Sequence, residues 1–331
     1  MNIIKPNVEI IHEPDLLKRI EIAGRTAYKS EDKICAGSAK KFFDFLVKHG
    51  HESVLEHSNI IVYAQTDTTC KHLLAILQDY ERQTQLPHFI RNSNHEEDVN
   101  IDGDVFEYSN IFSGNLRAWR SLVKQFCAEP IFIRLFYHHF AFADIYSKYN
   151  SENPKSHQLT EYDFAASIYE DVAQAEILPW APGEIHNIIT ARFTCSRGIS
   201  HETVRHRILS PPQESTRYVR FGDNTIIEPW WWDDVGNENI ELWRTLCLSS
   251  GLHSESTYKS FIDSNMAPQG ARGCLNTDTK TEVVQTGCVQ YWRHFLMLRE
   301  DTAAHPDVRI LASMFRENSE IDTKDWWGQN V

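Results

Sequence analysis

"EIHNIITARFTCSRGISHETVRHRILSPPQESTRY", residues 184–218, holds the pattern from which the fold class is read. Its first part, "EIHNIITARFTCSRG", is rich in β-branched residues and reads as a strand ended by Gly198. Ser200 is a natural N-cap for a helix through "HETVRHRIL". Pro211 and Pro212 stop that helix, since proline donates no backbone hydrogen bond and disfavours an α-conformation before it. On such a helix the consecutive Arg205, His206 and Arg207 point roughly 100° apart. They suit a large ligand, or two ligands meeting at a subunit boundary. Arginine's planar fork fits phosphate, and histidine bonds phosphate or a heterocycle. The following "QESTR" supplies an amide, hydroxyls, main-chain N–H groups and another cation, a second anion cradle stiffened by the prolines.

Outward from this stretch, strands are few and helices long. "NVEIIH" and "SNIIVYAQT" read as strands. "EPDLLKRIEIAGRTAY" and "SAKKFFDFLVKHG" read as helices, the second ended by Gly50. "KHLLAILQDYERQ" and "NLRAWRSLVKQFCAEPIFIRLFYHHFAFADIY" are helical in pattern, and "HEEDVNIDGDVFEYSNIFSG" is a polar loop followed by a strand. "ELWRTLCLSSGLHSESTYKSFIDSN", "APQGARGCL", "KTEVVQTGCVQYWRHFLMLRE" and "HPDVRILASMFRE" are expected to close the chain as helices. The order is no clean βαβα alternation. The expectation is α+β: a small mixed or antiparallel sheet with long helices packed on it.

The chain has 331 residues, 41% hydrophobic and 24% charged, with a formal net charge of −13. That acidity opposes general nucleic-acid binding but leaves room for a local cationic pocket. The seven cysteines are scattered with no CxxC pair, and neither a disulfide framework nor a zinc ribbon is expected. No signal peptide and no apolar run near the roughly 20 residues of a membrane span is found. A cytoplasmic protein is expected.

His49, His51 and His57, with Glu52 and Glu56, invite a metal reading, but the HExxH position is Leu55 and no metal site is expected. "DVNIDGDVFEYS", residues 98–109, begins like a calcium loop but ends on Ser109 where glutamate is required. "PWWWDD", residues 229–234, reads as a packed corner, its aspartates disfavouring a base-stacking platform.

Arg205-His206-Arg207, seven residues, then Ser215 resembles the signature of the flavin-dependent thymidylate synthases. "HGHESVLEH" at 49–57 is similar to that family's earlier histidine motif. "CSRGISHETVRHR" and "QESTRY" resemble the approach to the signature and its exit, and "APQGARGCL" and "KTEVVQTGCVQYWRHFLMLR" its C-terminal region. The blocks stand in the family's order. Residues 66–183 read as an insertion or elaboration within a single domain spanning 1–331, in which "SGNLRAW" resembles a segment of longer members.

The resemblance implies conversion of dUMP to dTMP, with methylenetetrahydrofolate as carbon donor, reduced FAD as hydride donor and NADPH recharging it. It places Arg299 and Ser215 at the reacting centre, Arg299 stabilising charge on the pyrimidine and Ser215 positioning it. It assigns Glu202, Gln213, Glu214, Ser215, Thr216, Arg217, Arg272 and Arg299 to dUMP. His51, Ser53, Glu56, Arg205, His206, Arg207, Ile208, Gln290 and His294 fall to FAD. It also implies a homotetramer with sites shared between subunits. Cys288 and Gln290 stand where members often carry Asn and Arg, and Gln213 where many carry Glu. Independently of any resemblance, none of the cysteines follows a proline, so the Pro-Cys-His route of the thiol-dependent synthase is absent. Two rivals remain: a non-catalytic nucleotide-binding or assembly protein on the same fold, and a nucleic-acid binder using Arg205 to Arg207.

Overall fold

The computed structural model describes residues 1–84, 90–92, 99–101, 104–106, 110–168, 170–179, 186–222 and 224–321. The chain divides into two compact units, Met1–His57 with Ile188–Val331, and Ser58–Asn187. Helices dominate and the sheets are small, so the class is α+β as expected.

The first unit is built on an antiparallel sheet in which the central strand Ile188–Ser196 pairs with Lys280–Cys288 on one side and Asn7–Ile10 on the other. Phe193 lies opposite Val283 in one ladder and Val8 in the other. Helices Val289–Arg299 and Pro306–Ser319 cover one face. Trp292 and Phe315 stack there at 4.1 Å, with Phe193 about 6 Å from each, and all three are fully buried. Each such ring contributes roughly 1.5–3 kcal/mol by leaving water. The Trp292 indole N–H donates to Ile189 O at 3.0 Å, so the largest core ring keeps its polar bond.

Helix Leu16–Tyr28 starts at Asp15, whose carboxylate accepts from Leu17 and Lys18 N–H at 2.9 and 3.0 Å. Gly24 lets helix Ser38–Lys48 come close, since a Cβ there would meet Phe42 Cε1 at 2.5 Å. The first helix ends on Lys29 in the left-handed region (φ 47°), a conformation uncommon for a residue with a Cβ.

Two local expectations are corrected. The first is the helix through "HETVRHRIL". The observed helix is Arg197–Thr203, and its N-cap is Ser196, whose Oγ accepts from Ile199 N–H at 3.3 Å. Ser200 lies inside that helix and Gly198 in its first turn. The helix ends well before the prolines, so Arg205, His206 and Arg207 sit on a turn. The chain leaves the helix because Leu209 is fully buried against Gly287, where no larger residue fits. Residues 210–214 then run antiparallel along the free edge of Lys280–Cys288. Ser210 N–H donates to Thr286 O, Val284 N–H to Pro212 O and Glu214 N–H to Glu282 O. Proline fits an edge because only its carbonyl is needed there.

The second correction is "KTEVVQTGC", expected as helix and observed as the strand Lys280–Cys288. From Val283 to Cys288 every residue is buried. A strand covered on both faces loses the alternation by which strands are recognised.

The second unit carries an antiparallel sheet in the order Ile90–Asn92, Ile111–Asn115, Asn59–Ala64, Ala175–Leu178. Asn115 caps helix Leu116–Phe126, accepting from Ala118 N–H at 2.8 Å. The stretch 115–146, read as helical in pattern, holds the helices Leu116–Phe126 and Pro130–Phe136 and the start of Ala143–Glu152. Arg120 is fully buried and forks onto both oxygens of Asp144 at 2.7 Å. Strands Val99–Ile101 and Asp104–Phe106 pair antiparallel. The calcium-loop reading falls largely outside the described residues, which omit 98, 102–103 and 107–109.

Candidate functional site

In the first unit the end of helix Val289–Arg299 meets the turn that carries the arginine pair. Arg299 donates from Nε to His206 Nε2 at 2.8 Å, from Nη1 to Glu202 Oε2 at 2.8 Å and from Nη2 to Glu202 O at 2.9 Å. A guanidinium can make more bonds than these three, so donors remain for a ligand. Arg299 Nε–H can only donate, so His206 Nε2 is an acceptor and its proton is on Nδ1. Burial pushes the His206 pKa down to about 4, with Arg299 and His294 adding to the shift. The ring is therefore neutral at physiological pH. His294 lies 6.1 Å from it and Phe295 packs at 4.9 Å.

Arg205 and Arg207 flank this buried histidine, both exposed and without an ion-pair partner among the described residues. Ile208 is also exposed. Gln290 is exposed in the first turn of the helix Val289–Arg299, while Cys288, the N-cap residue of that helix, is fully buried. His206 is buried between the exposed Arg205 and Arg207, on a turn rather than on the expected helix.

A second cluster follows the prolines. Ser215 N–H donates to Ala27 O at 2.9 Å, and its Oγ accepts from Arg217 N–H at 3.2 Å. Among the described residues no base is bonded to that hydroxyl, which suits positioning rather than attack. Arg272 Nη1 donates to Thr216 Oγ1 at 3.2 Å, and Arg197 Nη1 to Glu214 O at 3.3 Å. Burial lowers the Arg197 pKa; Glu214 opposes that shift and nearby Arg272 reinforces it. Glu214 itself is buried and paired with Lys280 at 3.3 Å. Lys29 and Lys280 both bind Glu282 at 2.6 Å. Burial raises the Glu282 carboxyl, and these two ammonium groups more than reverse it, so it sits below the usual carboxylate range. Three carboxylates, Glu214, Glu282 and Glu31 at 3.9 Å from Lys29, against Lys29, Lys280, Arg197 and Arg272 leave a net positive charge beside the exposed Arg217, electrostatics that favour an anion.

Gln213 turns inward, its amide donating to Ser200 Oγ at 2.7 Å and Thr281 Oγ1 at 3.2 Å. Sequence reasoning nominated neither Lys29, Arg197, Lys280 nor Glu282. Lys280 and Glu282 stood in a quoted block, but reading it as helix hid their place beside the turn.

His51, Ser53 and Glu56 lie on the short 3-10 stretch Glu52–His57 and its approach. Glu56 accepts from Ser210 Oγ, which ties this motif to the signature turn. His57 is buried, with Nδ1 2.7 Å from Thr286 Oγ1, whereas His49 and His51 are exposed. Among the described residues no group of three or more His, Cys, Asp or Glu side chains is placed to hold a metal. No helix among them is long and apolar enough to cross a membrane.

A neutral histidine, a charged arginine and a cluster of further cations thus stand on one α+β unit. The family model described as thymidylate synthase complementing protein matches residues 9–75 and 140–321, more than half the chain. The chain belongs to that family, the flavin-dependent thymidylate synthases, as the signature indicated. Proteins named flavin-dependent thymidylate synthase are similar to it. One from Mycobacterium avium is 31% identical over 188 residues, 52% of this chain and 70% of its own length. One from Mycobacterium tuberculosis is 30% identical over 183 residues, with the same coverage. One from Mycobacterium marinum is 30% identical over 132 residues, 35% of this chain and 51% of its own length. The chain thus spans about half of one relative and more of the others. Residues 76–139, outside the family match, lie within the second unit.

Proposed function

We propose that this chain converts dUMP to dTMP, taking the carbon from methylenetetrahydrofolate and the hydride from reduced FAD, which NADPH regenerates. The observation that carries the reading is Arg299 held by Glu202 and His206 at the signature turn. C5 of uracil is a weak nucleophile. A permanent cation at the O2/N3 side draws charge toward that edge as C5 attacks, and it does so without a thiol. Glu202 and neutral His206 fix the direction of the guanidinium, and Arg299 keeps donors for the pyrimidine. Arg272, Arg217 and Arg197 hold the phosphate, and Ser215 sets the height of the nucleotide above its turn.

The residues present fit FAD. Among the described residues Arg205 and Arg207 are exposed cations with no ion-pair partner, the exposed Ile208 follows them, and Gln290 and His294 offer polar groups. When bound, FAD supplies the hydride. The exposure of Arg205 and Arg207 on either side of the buried His206 suits sites shared between copies in a homotetramer, and the place of work is the cytoplasm. Residues 66–183 act as an elaboration of a single catalytic domain.

An anaerobic assay with dUMP, methylenetetrahydrofolate and NADPH, with and without added FAD, tests the reading. Flavin-dependent dTMP formation is expected. A colourless protein that refuses FAD and leaves dUMP unchanged overturns it in favour of a non-catalytic nucleotide binder.

A further inference from the structure

The histidine motif at 49–57 ends on His57, which is fully buried and takes no part in the chemistry proposed above. Its Nδ1 lies 2.7 Å from Thr286 Oγ1, and that hydroxyl lies 2.9 Å from Thr190 Oγ1 on the neighbouring strand. Both threonines are buried as well. Thr286 also serves the signature through its main chain, where its carbonyl accepts from Ser210 N–H at 3.3 Å. Ser210 Oγ in turn donates to the carboxylate of Glu56, the residue next to His57. These contacts close a ring: His57, Thr286, Ser210, Glu56, and back along the chain. Gly287, next to Thr286, makes room for Leu209 by having no side chain in its way.

A closed ring fixes a distance that an open chain of bonds does not. The His57–Thr286 bond sets how far the 3-10 stretch stands from the strand Lys280–Cys288, and Ser210 bridges that gap. If the gap widens, Ser210 keeps its bond to the strand or its bond to Glu56 at the expense of the other. A buried polar bond is strong, and leaving it half made is costly. Ser210 stands at the exit of the turn that carries Arg205, His206 and Arg207, so the ring sets the pose of that turn. The phosphate seat proposed for dUMP, at 213–217, is held by other contacts: Ser215 N–H to Ala27 O, and the Gln213 amide to Ser200 and Thr281. His57 Nε2 has no hydrogen-bond partner among the described residues, so the ring works through Nδ1. Burial, reinforced by Arg19, brings the His57 pKa down to about 3. The imidazole is therefore neutral, and a neutral amide takes its place without a change of charge.

We infer that His57 is a positioning residue for the flavin: by way of Thr286 it holds Glu56 and Ser210 together, and so keeps the turn 205–208 in the pose that grips the cofactor. The inference rests on the proposed function for the identity of that cofactor. It separates the two ligands, since the flavin depends on His57 and dUMP does not.

The test compares His57→Asn, whose amide stands near the place of Nδ1, with His57→Gln, whose amide stands near that of Nε2. Thr286→Val keeps the side-chain shape and the main-chain bond to Ser210 while removing the hydroxyl. Asn115→Ala, which loses a helix cap in the second unit, controls for stability. FAD affinity is read by fluorescence quenching and dUMP affinity by calorimetry. Hydrogen exchange is followed in flavin-free protein over peptides covering 205–212. His57→Gln and Thr286→Val are expected to weaken FAD binding about tenfold and to speed exchange over 205–212, with the double variant no weaker than either single one. His57→Asn and Asn115→Ala should stay within about twofold of wild type, and dUMP affinity should be unchanged in all. Equal loss of FAD affinity in the Asn and Gln variants, unchanged FAD affinity in Thr286→Val, or a parallel loss of dUMP affinity overturns the inference. Should His57→Gln not fold, Thr286→Val alone decides. A wild type that binds no FAD overturns the proposed function instead. The hold of His57 on the turn is then judged by exchange, and equal exchange in the Asn and Gln variants overturns it.

Discussion

The Nε–H of Arg299 donates to Nε2 of His206 across 2.8 Å, joining the last turn of one helix to the turn that carries the signature arginines. A neutral imidazole is the ideal partner for this cation, because it accepts a hydrogen bond without cancelling charge. Replacing Arg299 with alanine removes the charge but leaves Arg205, Arg207 and Gln290 in place. Loss of dTMP formation by at least ~10²-fold is expected, with flavin content retained. Arg299→Lys recovers little, since an ammonium cannot reach His206 and both Glu202 acceptors as the planar fork does. Rapid-quench turnover alongside the flavin absorbance checks both statements.

Burial of two histidines makes the fold sensitive to acid. Burial holds His206 down to about 4 and His57 to about 3, against an ordinary value of 6.5. The unfolded chain therefore binds more protons than the folded one below about pH 6.5. Stability is full above that value and is lost as pH falls toward 4 for His206 and toward 3 for His57. Urea unfolding at a series of pH values from about 7.5 to 4.5 should show a falling midpoint. His206→Gln, which still offers Arg299 an acceptor, should flatten part of that slope.

Glu282 ties Lys29 and Lys280 together at 2.6 Å each, beneath the turn that presents Ser215. Removing its carboxylate leaves two partly buried ammonium groups to share Glu214, with Glu31 3.9 Å from Lys29 as the other carboxylate at hand. A loss of about 1–3 kcal/mol is expected for Glu282→Ala, within the range for pairs that are only partly exposed. Because the seat then carries more positive charge, affinity for dUMP should not fall with stability. Parallel denaturation and nucleotide titration separate the two effects.

The legible parts of the sequence were those where one period or one punctuating residue dominated. The helical spacing of Leu16, Leu17, Ile20 and Ala23 and the β-branched run at 59–64 gave helix and strand where the structure has them. The signature, read as a string, pointed to the correct family. What failed was local geometry set by tertiary burial. Leu209 draws the chain off its helix early, and no pattern within residues 201–209 announces a partner at Gly287. The strand Lys280–Cys288 is buried through most of its length, so it lacks alternation, and its β-branched Thr281, Val283, Val284 and Thr286 were the unused signal. Lys29 was invisible for a related reason: its role depends on a left-handed helix end and on a strand some 250 residues away.

The two serines of the signature helix separate these readings by experiment. Ser196 Oγ accepts from Ile199 N–H, so Ser196→Ala should cost about 1 kcal/mol through loss of the cap. Ser200 Oγ accepts from the Gln213 amide at 2.7 Å and donates to Arg197 O. Ser200→Ala should therefore disturb the pose of the 213–217 turn, raising KM for dUMP, in addition to any cost in stability. A Ser200 variant with cap-like loss of stability and unchanged KM would restore the sequence expectation.

Gln290 is the departure most open to repair. It is exposed in the first turn of the helix Val289–Arg299, whose N-cap residue Cys288 makes no side-chain cap bond. A bound anion there meets uncapped N–H groups and an amide, but no charge from position 290. Gln290→Arg supplies a cation at this position, and its side chain has solvent on the exposed face to move through. A charge-assisted bond to a phosphate or ring oxygen contributes about 1.5–3 kcal/mol, so FAD affinity should tighten by at least ~10-fold. Quenching of flavin fluorescence on binding gives the dissociation constant directly, without turnover. If Gln290→Arg binds FAD no better than wild type, position 290 does not face the cofactor, and Arg205 and Arg207 hold it without help from this helix.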